Sequence, residues 1–270
     1  ATATYTRAKR QGLDQLAEFL VQNLQQPQVM PRTSAPPAPP LLGREAPLNY
    51  YSERLEDEGE AVIWGLAGSG KTALAATLAA QQQAAGELVT WHVCSGSGDG
   101  LLRALLTSFG MTDVGKRLDT EALLALIREQ LRAGGLLVLD AYESIADDPT
   151  TTLLMAPIRV LVGQRALKLL IVGRQLPTWA EHQGWLPLGG LVEDMARALW
   201  TITGGSTPEM TSWYTIYNRT LGYPQLLQML ASNPAVSLEH FLLSQISEGL
   251  SARTRHVLYQ AILAHRPLSA

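Results

Sequence analysis

The sequence predicts an α/β fold: a parallel sheet covered by helices on both faces, followed by a small all-α domain. Three observations carry this. Aliphatic runs at 61–64, 136–139 and 167–172 lack polar alternation, as strands buried on both faces do. Stretches with helical periodicity lie between them, the pattern of parallel strands joined by helical crossovers. After residue 190 strand signals stop and only helical stripes remain.

Taken in order, Leu13, Leu16, Phe19, Leu20 and Leu24 mark one amphipathic helix in residues 1–25. It cannot bury its own stripe, so it is expected to dock elsewhere or to end a missing domain. Six of residues 26–40 are proline, which removes backbone donors and favours an extended linker. The first strand, 61–64, runs into a glycine-rich turn and a helix over 71–85. A strand at 87–93 follows, then helices over 100–109 and 120–133. The run at 136–139 is a strand, 151–162 a helix, 167–172 a strand and 185–188 a short last strand. Past a boundary near 190, helices are expected over 208–219, 224–232, 238–248 and 252–264.

Composition excludes several classes. With 270 residues and 46% hydrophobic content the chain is too apolar for general disorder. Twenty-one basic against 24 acidic residues leave a formal charge of -3, which argues against a whole-surface nucleic-acid binder. No direct nucleic-acid binding is therefore expected of this fragment. The single cysteine, Cys94, rules out an internal disulfide and suits a reducing, cytoplasmic setting. The five histidines lack zinc-site spacing, and no apolar run reaches membrane-spanning length, so no membrane partner is expected.

The chemistry is concentrated in GLAGSGKT, residues 65–72. It fits G-x-x-x-x-G-K-[ST] between a predicted strand and helix, the context of a phosphate-binding loop. Gly65, Gly68 and Gly70 let backbone amides converge on phosphate oxygens, with Ala67, Ser69 and Ala73 completing the run. The helix N-terminus adds partial positive charge. Lys71 reaches the β- and γ-phosphates, and the Thr72 hydroxyl is placed for Mg²⁺. The fold class is thereby a P-loop nucleoside-triphosphatase. In LLVLDAYES, an aliphatic strand delivers Asp140, the expected second metal-holding group. Glu143 is either the carboxylate that orients the attacking water or a solvated acid at a helix start. Arg174 follows the strand 167–172, on the edge where ligands of parallel sheets collect. It either senses the γ-phosphate or is an ordinary salt-bridged arginine.

In sequence order, LLGRE, GLAGSGKT, LLVLDAYES, LLIVGRQ and GYPQLL resemble the nucleotide-binding module of the STAND signal-transduction ATPases, which include the NB-ARC proteins. The resemblance implies adenine as the base. It puts Gly43 and Arg44 in the segment lining the pocket near adenine or ribose, and Pro224 against the base from the helical domain. The implied organisation is a nucleotide-binding domain at 41–190, a helical domain at 191–250 and the start of a winged-helix domain at 251–270. Effector, winged-helix and sensor parts of a longer protein would be the partners, with a homo-oligomer in the active form. Two departures stand out. Val172-Gly173-Arg174 replaces a Thr-Ser-Arg type segment. Ala141 follows the aspartate where many members carry an acidic or amide residue, which shifts weight to Glu143.

The functional expectation is an ATP/ADP switch with slow Mg²⁺-dependent hydrolysis as its reset. Two alternatives use the same motifs: a continuously cycling AAA+ or origin-recognition-like ATPase acting on DNA or a polypeptide, and a nucleotide-stabilised scaffold that does not hydrolyse.

Overall fold

Four short runs, β1 (Glu60–Trp64), β2 (Val89–Val93), β3 (Leu136–Asp140) and β4 (Lys168–Gly173), form one parallel sheet in the order β1-β4-β3-β2. The computed structural model describes residues 35–111, 120–205 and 210–233. Every residue of β3 is buried, and so is all of β4 except Lys168, which explains their unbroken aliphatic sequences. Register pairs Trp64 with Gly173 and Val93 with Asp140, so the strands' carboxyl ends line one edge.

Helices α1 (Glu45–Asp57), α2 (Lys71–Ala84), α3 (Gly98–Ser108), α4 (Thr120–Leu131) and α5 (Pro149–Gly163) flank the sheet. This is the α/β P-loop NTPase fold that the sequence predicts. The α2 sequence TALAATLAA suits a helix lying close on a sheet: alanine favours the helix, and its small side chain allows near approach. Helix α5 starts at Pro149, where the Asp148 carboxylate accepts from the amides of Thr150 (2.8 Å) and Thr151 (3.3 Å). At the sheet edge where β4 begins, the Lys168 ammonium donates to Glu56 (2.8 Å), Gln82 (2.9 Å) and Glu87 (3.0 Å), tying α1 and α2 to β4.

The described residues divide into two units between Gly189 and Gly190. The second contains α6 (Glu193–Ile202), α7 (Met210–Thr220) and α8 (Pro224–Ser232) around Trp200, Trp213 and Leu227. The Leu191 amide donates to Gly222 O at 2.8 Å. A Cβ on Gly222 would collide with Leu191 O, which accounts for the glycine of GYP.

Two elements differ from expectation. Residues 185–188 form no strand. Pro187 has no amide to give, and the carbonyls of Trp185 and Leu186 accept from the Trp64 indole (3.0 Å) and the Tyr51 hydroxyl (3.3 Å). A single ladder-like bond remains, Leu188 N to Trp64 O at 2.7 Å. Helix α1, by contrast, was not expected. Only Tyr51 and Leu55 are fully buried in it, so its apolar stripe is faint. It is held by contacts distant in sequence: Tyr51 stacks on Trp185, and the Arg54 guanidinium lies 4.0 Å over the Trp185 ring. The expected helices at 1–25, 238–248 and 252–264, the winged-helix start at 251–270 and linker residues 26–34 lie outside the described residues. Among the described residues no helix is long and apolar enough to cross a membrane.

Candidate functional site

The sheet order decides what meets at its carboxyl edge. Because β4 lies between β1 and β3, the segment Gly173-Arg174 ends between the loop leaving β1 and Asp140 leaving β3. Neighbouring strands are about 4.8 Å apart, so side chains at these three ends are within reach of one another.

The loop after β1 needs its glycines. Gly65 has φ +146°, and a Cβ there would sit 2.8 Å from Leu188 O. Gly70 has φ +94° and caps α2 in the left-handed region without a side-chain bond. The first turn of α2 carries no acidic residue of its own, so its N-terminal amides face the loop. That geometry suits a phosphate.

Lys71 is buried, and its ammonium donates to Leu66 O at 2.8 Å across the loop. Burial holds its pKa below the ordinary lysine value, while the carboxylates of Glu143 and Asp140 push it back up. Asp140 is also buried. Burial raises its pKa, and hydrogen bonds from the Thr72 hydroxyl and the Ala141 amide counter this. Thr72 Oγ1 lies 3.1 and 3.3 Å from the two Asp140 carboxylate oxygens. A hydroxyl and a carboxylate this close are hard oxygen donors on one side, which fits Mg²⁺ completed by phosphate oxygens and water.

Ala141 turns the chain back sharply, with φ +55° and ψ +38°. Left-handed geometry is uncommon for a residue with a side chain and concentrates at functional sites. The turn carries Glu143 over the end of β4. There the Arg174 amide donates to Glu143 Oε2 at 3.0 Å, and the Arg174 Nε lies 3.4 Å from Oε1. The Ser144 hydroxyl donates to Cys94 O at 3.0 Å, anchoring the same turn to the end of β2.

The structure therefore brings together Lys71, Thr72, Asp140, Glu143 and Arg174. Arg44 precedes α1, following Gly43 at φ +61°. It is 6% exposed, and its Nη2 donates to Ser69 O (2.8 Å) and Gly189 O (2.7 Å). Nothing in the sequence alone pointed to a bond between Arg44 and the phosphate loop. Ser69 itself is fully buried within that loop. Pro224 is the first residue of α8 in the second unit, and a role at the base rests on the family resemblance alone.

Comparison with known proteins supports the class. Residues 54–176 match the family model described as an AAA domain. No curated protein matches the chain. Among solved structures, a STAND protein with a tetratricopeptide repeat sensor from Pyrococcus horikoshii is similar at 21% identity and TM-score 0.57, over 82% of this chain and 34% of that one. The Orc1 protein of Aeropyrum pernix in complex with DNA is similar at 18% identity and TM-score 0.52, over 77% and 66%. A Walker-type ATPase of Pyrococcus abyssi gives 12% identity and TM-score 0.52, over 86% and 78%. The chain thus spans about a third of the STAND protein's length. Loop and fold define a P-loop nucleoside-triphosphatase domain, in which residues 54–176 are similar to the AAA domain family.

A net charge of -3 does not exclude direct nucleic-acid binding, contrary to the expectation from composition: a protein of this fold, Orc1, was solved in complex with DNA. Net charge averages over the whole surface, whereas contact to a duplex needs only a local basic patch.

Proposed function

We propose that the first unit binds Mg²⁺·ATP at residues 65–73 and hydrolyses it, as an ATPase of the AAA+ kind. The observation that carries this is the meeting of Lys71, Thr72, Asp140, Glu143 and Arg174 at one sheet edge beside the N-terminus of α2. Gly65, Ala67, Gly68, Ser69, Gly70 and Ala73 supply the backbone of the phosphate cradle, and Lys71 neutralises the β- and γ-oxygens. Thr72 and Asp140 would hold Mg²⁺, which when bound withdraws charge from the phosphates. Glu143 orients a water for in-line attack at the γ-phosphorus and accepts its proton. The bond from phosphorus to the bridging oxygen breaks, and ADP leaves with that oxygen's charge. Arg174 stabilises charge on the γ-oxygens. Within the chain, we assign the nucleotide-binding domain to residues 41–190 and the helical domain to 191–250, of which 234–250 lie outside the described residues.

The AAA-domain match and the Orc1 likeness support a cycling ATPase with DNA or a polypeptide as its stimulus. The STAND likeness, and the bond from Arg44 of LLGRE to Ser69, support a second reading: a slow switch with ADP as its resting ligand. Steady-state turnover with and without duplex DNA separates them. Turnover well above about one per minute that rises with DNA supports the cycling ATPase. Slower, unstimulated turnover supports the switch. Hydrolysis equal to that of Glu143→Gln leaves neither, and points to the non-hydrolysing scaffold.

A further inference from the structure

Gly173 ends β4 at the site, and its backbone gives no reason for a glycine. Its φ is not positive, and it pairs in register with Trp64 in a strand whose other residues are Lys168, Leu169, Leu170, Ile171 and Val172. Glycine inside a strand weakens it and often marks a place that another group approaches closely. Here that group is the Glu143 carboxylate: a Cβ on Gly173 would sit 3.1 Å from Glu143 Oε2 and 3.3 Å from Gln175 O. The same Oε2 accepts from the Arg174 amide at 3.0 Å, and Arg174 Nε lies 3.4 Å from Oε1.

We propose that Gly173 is a positioning residue: by carrying no side chain it leaves the room in which the Arg174 amide and guanidinium seat the Glu143 carboxylate. The inference rests on the reading of Glu143 as the group that orients the attacking water. It also accounts for both departures from the family pattern. Ala141 turns the chain so that Glu143, three residues after Asp140, lies at the end of β4, and Gly173 receives it where a serine's Cβ would intrude. The two prongs of the seat differ. The amide is fixed by β4, whereas the guanidinium is the group placed to answer a γ-phosphate. An anion that draws the guanidinium away loosens one prong and leaves the other, so the orientation of Glu143 depends on what Arg174 holds.

The crowding in a Gly173→Ala chain falls on Glu143, because Gln175 O is backbone and yields less. Misplacement by about 1 Å costs on the order of a hundredfold in rate, so a shift of a few tenths of an ångström is expected to cost about tenfold. The test uses the full chain, with single-turnover hydrolysis of Mg²⁺·ATP and ATP affinity measured for wild type, Gly173→Ala, Glu143→Gln and the double variant. The expected result is affinity within about twofold of wild type and hydrolysis about tenfold slower in Gly173→Ala. In the Glu143→Gln background, Gly173→Ala should slow hydrolysis no further. A Gly173→Ala chain that hydrolyses at the wild-type rate while Glu143→Gln is slow overturns the proposal and leaves the role of Glu143 standing. Equal slowing by Gly173→Ala in both backgrounds also overturns it. Glu143→Gln at the wild-type rate removes the role of Glu143, and the proposal with it. If Gly173→Ala is unstable, melting curves in a Glu143→Ala background decide: recovery of the melting temperature supports the seat, and an equal loss refutes it.

Discussion

Replacing Arg44 by alanine removes a buried charged donor that serves two carbonyls at once. The bonds to Ser69 O and Gly189 O are 2.8 and 2.7 Å, and the side chain is 6% exposed. Hydrogen bonds to a charged group are worth about 1.5–3 kcal/mol each, and the alanine variant leaves two carbonyls short of a partner. The two bonds share one nitrogen and are not independent, so about 3 kcal/mol is expected for the pair. A domain of this size loses about 2–4 °C per kcal/mol, which gives a drop of roughly 6–12 °C. Differential scanning calorimetry of the full chain measures it. Because the guanidinium fixes the backbone of the phosphate loop at Ser69, ATP affinity should fall as well, by about tenfold in a calorimetric titration. A melting temperature within about 2 °C of wild type, with ATP affinity unchanged, would refute the reasoning that Arg44 fastens the loop.

Other perturbations follow from the same geometry. Gly65→Ala puts a Cβ 2.8 Å from Leu188 O at φ +146°, so ATP affinity should fall at least about tenfold; a chain that binds normally would show that the loop tolerates the side chain. Burial pushes the Cys94 thiol up to about 12, so iodoacetamide at pH 8 should leave the folded chain unmodified and alkylate it once denatured. The raised folded-state pKa also sets a sign. Below pH 9.0 Cys94 makes no pH-dependent difference; from there to about pH 12 the unfolded thiol ionises first and stability falls. A stability that rises across that window would contradict the assignment. Removing Mg²⁺ with EDTA should abolish hydrolysis. Asp140→Asn should do the same with Mg²⁺ present; undiminished turnover in EDTA would refute the metal requirement, and undiminished turnover in Asp140→Asn would exclude Asp140 from metal binding.

The legible parts of the sequence were those in which local pattern and chemistry coincide. GLAGSGKT combines a buried strand, glycines for unusual backbone angles and a strong helix former, and each is used as the pattern demands. Asp140 and Arg174 were readable because an aliphatic run fixes where each strand stops. Helix α1 was not readable, because Trp185, far along the chain, supplies the contact that holds it. The supposed strand at 185–188 failed for a related reason: its carbonyls are taken by side chains that no local pattern reveals. The Lys168 cluster with Glu56, Gln82 and Glu87 is assembled entirely by the fold. Gly173 left one faint trace, an unexpected glycine in place of the usual residue before Arg174. Its meaning depends on the turn at Ala141, which only the three-dimensional path of the chain discloses.

Nucleotide binding at the phosphate loop is tested by isothermal titration of Mg²⁺·ATP into the full chain and into a folded Lys71→Ala variant. Lys71 is the buried cation at the head of α2, facing the carboxylates of Glu143 and Asp140. One ATP should bind per wild-type chain, and binding should be about a hundredfold weaker in the variant, as loss of a charged phosphate contact requires. Equal affinity in the two proteins, or no binding to a folded wild-type chain, would contradict the claim that residues 65–73 hold the nucleotide.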